Sequence, residues 1–127
     1  MIVADTDVLI DALRGKGAAD RMRIEIATGT LATTTISVFE LLSGAKSDKE
    51  RRAVEALLGA LTTLPVDDRG AREAASIRRE LEAAGSTIAT ADTLIAGICR
   101  SRNAILLTRN RAHFERVRGL SLATLSA

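Results

Sequence analysis

Ile2-Val3-Ala4-Asp5-Thr6-Asp7-Val8-Leu9-Ile10 begins with three apolar residues, runs into two acids around a threonine, and turns apolar again. Ile2 to Ala4 is apolar on both faces, the pattern of a central parallel strand buried between helices. Asp5-Thr6-Asp7 supplies helix-start chemistry, with either acid available as the cap and capping the favoured role for Asp7, and Val8, Leu9, Ala12 and Leu13 follow at helical spacing. A buried strand therefore ends in carboxylates where the chain turns into a helix. In open α/β sheets, ligands bind just beyond the carboxyl ends of the strands.

Outward from this segment, Gly15-Lys16-Gly17 breaks the helix, and a second helix is predicted over 18–27 with Met22, Ile24 and Ile26 as partial apolar support. Leu31 to Ile36 reads as a strand rich in β-branched threonines. Ser37 then reads as the start of a helix through Val38, Leu41 and Leu42, ending near Gly44. From Ser47 a further helix carries Ala53, Val54, Leu57, Leu58 and Leu61 on one stripe, read as core in preference to interface. Thr62 to Val66 is a short strand that Pro65 places at a sheet edge. Asp67-Asp68 caps the next helix, in which Ala74, Ile77, Leu81 and Ala84 share a face, and Gly85 stops it. Thr90 to Arg102 is a helix capped by Thr90, with Leu94, Ile95, Ile98 and Cys99 inward. Ala104 to Thr108 is a buried strand, Arg111 to Glu115 a short turn or helix, and Leu120 to Leu125 a weak last strand.

Strands alternating with helices predict an α/β fold whose parallel sheet is covered on both faces. The 127 residues, 46% of them apolar, suit one compact domain over 1–127, and no repeat, low-complexity tract or linker divides them. The only aromatics are Phe39 and Phe114, too few for a platform that stacks single-stranded nucleic acid. The net charge of +2 decides little, but its distribution is uneven. After Asp92 the only acid is Glu115, against Arg100, Arg102, Arg109, Arg111, Arg116 and Arg118, a balance suited either to phosphate or to a solvated surface. Cys99 stands alone, which excludes an intrachain disulfide and a cysteine-rich zinc site. With His113 the single histidine, a metal would be held mainly by oxygen, as Mg²⁺ or Mn²⁺ is. No basic-then-apolar leader or long apolar run is present, so no membrane span is expected and the cytoplasm is the expected location.

On this scaffold Asp5 ends the first strand, Glu40 and Asp92 fall in the first turns of two helices, and Asn110 lies just past the Ile105–Leu107 run. Each has a local explanation. Ser37-Val38-Phe39-Glu40 fits a capping box, Asp92 favours a helix N-terminus, and Asn110 suits a turn. Taken together they are harder to dismiss, because carboxylates crowded on one sheet edge repel one another by up to a few kcal/mol per close pair. A divalent cation offsets that repulsion, and Mg²⁺ pairs with substrate phosphate while retaining waters.

Asp5-Thr6, Phe39-Glu40-Leu41-Leu42-Ser43-Gly44, Asp92-Thr93-Leu94-Ile95-Ala96-Gly97 and Leu107-Thr108-Arg109-Asn110-Arg111-Ala112-His113-Phe114 resemble, in order, the successive motifs of PIN domains, and most closely those of the VapC-type toxins. The resemblance spans essentially the whole chain. It implies a three-layer sandwich around a five-stranded parallel sheet, and an acidic edge that binds Mg²⁺ or Mn²⁺ and cleaves RNA. It places the metal-binding acids on Asp5, Glu40 and Asp92, and it implies a homodimer and a cognate antitoxin that covers the active edge. Two positions depart from the pattern: Asn110 stands where a fourth acid is common, and Asp7 where Ser or Asn is common.

The resulting expectation is a metal-dependent endoribonuclease toxin. Thr6 and Thr108 position water or substrate, Asn110 completes the outer shell, and Arg109 and Arg111 hold flanking phosphates. Two rivals stay open. Asp5-Thr6-Asp7 has the D-x-D spacing of haloacid-dehalogenase-like phosphatases, although the only lysines, Lys16, Lys46 and Lys49, come early for that family's late phosphate-neutralising lysine. The other is a catalytically degenerate PIN module that acts by binding, which Asn110 keeps in play.

Overall fold

The computed structural model describes residues 1–17 and 19–123. Its elements run β1 (Ile2–Ala4), α1 (Thr6–Leu13), α2 (Ala19–Ala27), β2 (Leu31–Thr34), α3 (Thr35–Gly44), α4 (Asp48–Gly59), β3 (Thr62–Leu64), α5 (Asp68–Ala83), α6 (Thr90–Ser101), β4 (Ile105–Leu107), α7 (Arg111–Phe114) and β5 (Ser121–Leu122). The strands form one five-stranded parallel sheet in the order β3-β2-β1-β4-β5. This is the α/β architecture the sequence predicts, with β3 on an edge as Pro65 implies.

Both faces of the sheet are covered. Val3, Ala32 and Leu106 point to one side, where Ile77 and Leu81 of α5, Ile95, Ile98 and Cys99 of α6, and Phe114 close the core. Their chain neighbours Ala4, Leu31 and Leu107 point to the other side, against Val8 and Leu9 of α1, Met22 of α2, Leu41 of α3 and Val54 of α4. Successive strand residues thus serve opposite layers, which is why these runs are apolar throughout and do not alternate with polar residues. Each fully buried Leu or Ile contributes about 1.5–3 kcal/mol relative to exposure.

Where the chain crosses from one half of the sheet to the other is what positions the site. From β1 it steps outward through β2 to β3, then returns past β1 to β4 and β5. β1 is therefore central, and the reversal falls between β1 and β4. Ala4 pairs with Leu107 in this register, so Asp5 and Thr108 leave adjacent strands side by side. The Asp5 amide donates to the Leu107 carbonyl at 2.9 Å.

Some boundaries differ from the sequence expectations. β2 stops at Thr34, because the Thr34 hydroxyl accepts the Ser37 amide at 3.2 Å and caps α3 there. Ser37 is accordingly inside the helix and buried, no Ser37–Glu40 capping box forms, and Glu40 lies in the second turn, not the first. The cap of α1 is Asp5, whose Oδ1 accepts the Thr6 amide at 2.8 Å, and not Asp7. Thr90 does not cap α6: Ala89 occupies that position without a side-chain bond, and the Thr90 hydroxyl accepts from Arg78 at 2.7 Å. Ala84 is the exposed C-cap of α5, off its buried face, and Leu94 is only half-buried. Residues 18, 124 and 125 of the expected second helix and last strand lie outside the described residues. The α4 stripe behaves as core: Val54 is buried, and Leu57, Leu58 and Leu61 pack partly buried against the same layer.

Candidate active site

Asp5 is only 5% exposed at the carboxyl end of the central strand. Its Oδ1 caps α1, and its Oδ2 accepts the Thr108 hydroxyl at 2.8 Å. Thr108 is fully buried and in turn accepts the Asn110 amide at 3.0 Å. Asp5 thus has its neutral donors, yet among the described residues no Arg, Lys or His forms an ion pair with Asp5, Glu40 or Asp92.

Glu40 reaches the same edge from α3. Thr6 Oγ1 lies 2.7 Å from Glu40 Oε1 and 2.9 Å from Ser37 Oγ. A hydroxyl carries one proton, and the carboxylate can only accept. Thr6 is the donor toward both, and its one proton is shared between the Glu40 carboxylate and the Ser37 hydroxyl, which ties Glu40 to α1. Beside it Phe39 is 71% exposed, whereas Phe114 is fully buried. The chain thus exposes one ring, not a stacking platform.

Burial pushes the Asp5 carboxyl up to about 6, and the charges of Asp7 and Asp92 push the same way, against the Thr108 and Thr6 hydrogen bonds. Asp92, in the first turn of α6, is also raised, by burial first and then by Glu40, with His113 opposing. Asp7 is raised by burial, opposed by the amide and guanidinium of Arg109. Asp5, Asp7, Glu40 and Asp92 therefore share one negative field. They do not form a closed cage: among the described residues no three His, Cys, Asp or Glu side chains stand ready to enclose an ion. This oxygen-only, open donor set fits a hard cation that keeps several of its waters, as Mg²⁺ does, and it does not fit zinc.

The remaining residues singled out in the sequence are placed as follows. Asn110 precedes α7 without capping it by its side chain, and its Nδ2 lies 2.8 Å from His113 Nδ1. The Arg109 guanidinium is paired with Asp11 at 2.9 Å, and Arg111 donates to the Ala123 carbonyl at 2.7 Å and faces Glu115 at 3.6 Å. Arg100 is committed internally to Glu73, Glu80 and the Arg118 carbonyl. Much of the Arg-rich third is thus spent on holding the fold. A groove of about 430 Å³ opens at Glu40 between α1, α3 and α4 and runs past Leu13, Leu41 and Val54, with Arg14 and Lys46 among the residues that line it.

The family model of the PIN domain matches residues 2–120. The chain belongs to the PIN domain family. This PIN domain is 31% identical over 120 residues, 91% of each chain, to the tRNA(fMet)-specific endonuclease VapC of Shigella flexneri. It is 36% identical over 115 residues to the ribonuclease VapC10 of Mycobacterium tuberculosis, covering 90% of this chain and 86% of that one. Among solved structures it resembles a chain of DNA-bound VapBC from Salmonella typhimurium, with a TM-score of 0.87, 29% identity and 98% of each chain covered. It also resembles a chain of VapBC2 from Rickettsia felis bound to a promoter DNA fragment, with a TM-score of 0.88, 25% identity and 97% and 98% coverage.

Sequence reasoning missed several groups that order this PIN domain's edge. Ser37 was read as a cap, and Asp11 and His113 were given no part in the edge. The Asp7/Asp11 spacing, which puts two acids on one face of α1, was the available signal for Asp11. Thr108 offers a direct test of the network. Thr108→Val keeps the shape but leaves Asp5 Oδ2 without its donor and the Asn110 amide without its acceptor. A buried polar group left unpaired costs about 1–3 kcal/mol. Urea unfolding is therefore expected to show a loss of about 2 kcal/mol or more, and an unchanged midpoint would remove Thr108 from the network's support.

Proposed function

We propose that this PIN domain, one domain over 1–127, is a metal-dependent endoribonuclease acting as the toxin of a toxin–antitoxin pair. The observation that carries the reading is the buried Asp5, which shares a negative field with Asp92 and Asp7 and, among the described residues, has no cationic side chain as an ion-pair partner. The ribonuclease names of its relatives support the same chemistry.

Asp5, Glu40 and Asp92 would hold Mg²⁺ or Mn²⁺, which on binding polarises a phosphodiester and lowers the pKa of an attacking water. The chain's own residues prepare that edge. Thr108 and the α1 N-terminus orient Asp5, and Thr6 with Ser37 orients Glu40. Asn110, hydrogen-bonded to His113, adds a neutral oxygen without further charge. Arg109 and Arg111 contact flanking phosphates through the guanidinium donors that their protein partners leave over. A cytoplasmic homodimer with a cognate antitoxin belongs to the same reading. To close the edge, that antitoxin must cover the mostly apolar groove that opens at Glu40. No helix among the described residues is long and apolar enough to cross a membrane.

The test is incubation of the purified chain with a long RNA, with Mg²⁺ or Mn²⁺ and with a chelator. Internal cleavage that requires the metal is expected, with no phosphate release from small phosphomonoesters. RNA binding without cleavage at any metal concentration would replace the reading with that of a binding module. Phosphate release with a trapped adduct at Asp5 would replace it with the phosphatase.

A further inference from the structure

Asp7 is the carboxylate that neither the metal set nor the helix cap uses. It sits one turn before Asp11 on α1, and the two acids grip the same residue of the β4–α7 loop. The Asp7 carboxylate accepts the Arg109 amide, at 3.2 Å to Oδ2 and 3.4 Å to Oδ1. Asp11 holds the Arg109 guanidinium at 2.9 Å. Arg109 is thereby tied to α1 at both its backbone and its side chain. Directly before it in the chain, Thr108 has its hydroxyl 2.8 Å from Asp5 Oδ2 and 3.5 Å from Asp7 Oδ2. With one proton to give, Thr108 donates along the short path to Asp5.

We infer that Asp7 is a positioning residue: by holding the Arg109 amide it fixes the β4–α7 loop, so that Thr108 orients the Asp5 carboxylate and Asn110 stays at the edge. The inference rests on the nuclease reading for its effect on cleavage, but the loop contact is testable without it. What holds the Arg109 amide is an acceptor oxygen, which a neutral side chain can also supply. Outer partners that orient a ligand are typically worth 10- to 100-fold in affinity or activity.

The experiment compares Asp7→Asn, which keeps one acceptor oxygen, with Asp7→Ala, which keeps none. Three quantities are read on each: hydrogen exchange of the Arg109 amide in the metal-free protein, kcat and KM for RNA cleavage, and the thermal shift on adding Mg²⁺. Asp7→Ala is expected to speed Arg109 exchange by about tenfold or more, the scale of losing a hydrogen bond to a charged acceptor, and to lower kcat by about 10- to 100-fold with KM nearly unchanged. Asp7→Asn is expected to stay within about threefold of the parent in both, the rescue a conserved acceptor should give. Two results overturn the inference: Arg109 exchange unchanged in Asp7→Ala, or Asp7→Asn as damaged in cleavage as Asp7→Ala together with loss of metal-dependent thermal stabilisation, which would make Asp7 a ligand. If Asp7→Ala does not fold, Arg109 exchange in Asp7→Asn decides alone, and exchange at least tenfold faster than in the parent overturns the inference. A parent that does not cut RNA defeats the nuclease reading only, since the exchange comparison still decides the loop contact.

Discussion

Asp5→Asn is expected to lower RNA cleavage by roughly 10²-fold or more, the scale of losing one key electrostatic group, and yet to stabilise the metal-free protein at neutral pH. The two effects have one cause. The Asp5 carboxyl is raised from 3.8 to about 6 in the folded chain, so the folded state binds this proton more tightly than the unfolded state does. Stability then falls as pH rises, because the unfolded state gives up its proton first. The contribution is fully present below about pH 4 and is lost as pH climbs through about 6, a total on the order of 3 kcal/mol. Asp5→Asn removes that slope, while the raised carboxyls of Asp7 and Asp92 keep theirs in both proteins. The α1 cap survives, since Asn caps about as well as Asp.

Metal reverses the order of stability. With Mg²⁺ or Mn²⁺ at a hundredfold excess over its dissociation constant, the parent should gain about 2.7 kcal/mol and Asp5→Asn much less. Because the ligands must be ionised, the parent's gain should grow with pH across the same window. Thermal melts of both proteins at pH 4 to 8, with and without metal, read all of this. Equal metal shifts together with equal cleavage would leave Asp5 a helix cap and nothing more.

Gly97→Ala is expected to weaken the fold, and two rules disagree on its sign. Helix propensity favours Ala over Gly inside a helix by about 1 kcal/mol. Packing opposes it: a Cβ at Gly97 would stand 2.6 Å from Ala74 Cβ and 2.7 Å from both the Ala74 amide nitrogen and the Gly70 carbonyl oxygen. Two of those atoms are α5 backbone, which cannot swing aside, so the whole helix pair must part. Overpacking of a tight core costs about 1–3 kcal/mol, occasionally more, and with backbone in the way the upper end applies. A net loss of about 2 kcal/mol or more is expected by urea unfolding. Gly59→Ala is the control: it lies in α4 with nothing within 4 Å of its new Cβ, and should be neutral or mildly stabilising. A Gly97→Ala protein as stable as the parent would mean that the α5–α6 approach is looser than described. Because α6 carries Asp92, the same change should also displace one corner of the acidic edge.

The fold was legible where burial is periodic or continuous. Ile2–Ala4 and Ile105–Leu107 are apolar on both faces, and the face made by Ala74, Ile77 and Leu81 repeats at helical spacing. Thr33-Thr34-Thr35 misled for a physical reason. Threonine favours strands and also caps helices, and only the bond from the Ser37 amide shows that Thr34 takes the second role. Asp5, Glu40, Asp92 and Asn110 could be singled out because they recur at strand and helix ends, where an open sheet gathers its ligands. What they bond to could not be read, since those partners are distant in sequence. Asp7 looks like a cap until Arg109 arrives from 102 residues away. Arg109 and Arg111 look like free cations until Asp11, Glu115 and the Ala123 carbonyl claim them.

The pairing of β1 with β4 also sets a clock. Asp5 and its hydrogen-bond partner Thr108 are separated by 103 residues, so the acidic edge has no complete form until Thr108 has left the ribosome. At synthesis speeds of about 5–20 residues per second, that is an interval of roughly 5 to 20 seconds between the two ends of one hydrogen bond. For all of it, the nascent polypeptide carries Asp5 without the strand and hydroxyl that orient it. A fragment that ends before Thr108 lacks the hydroxyl that orients Asp5.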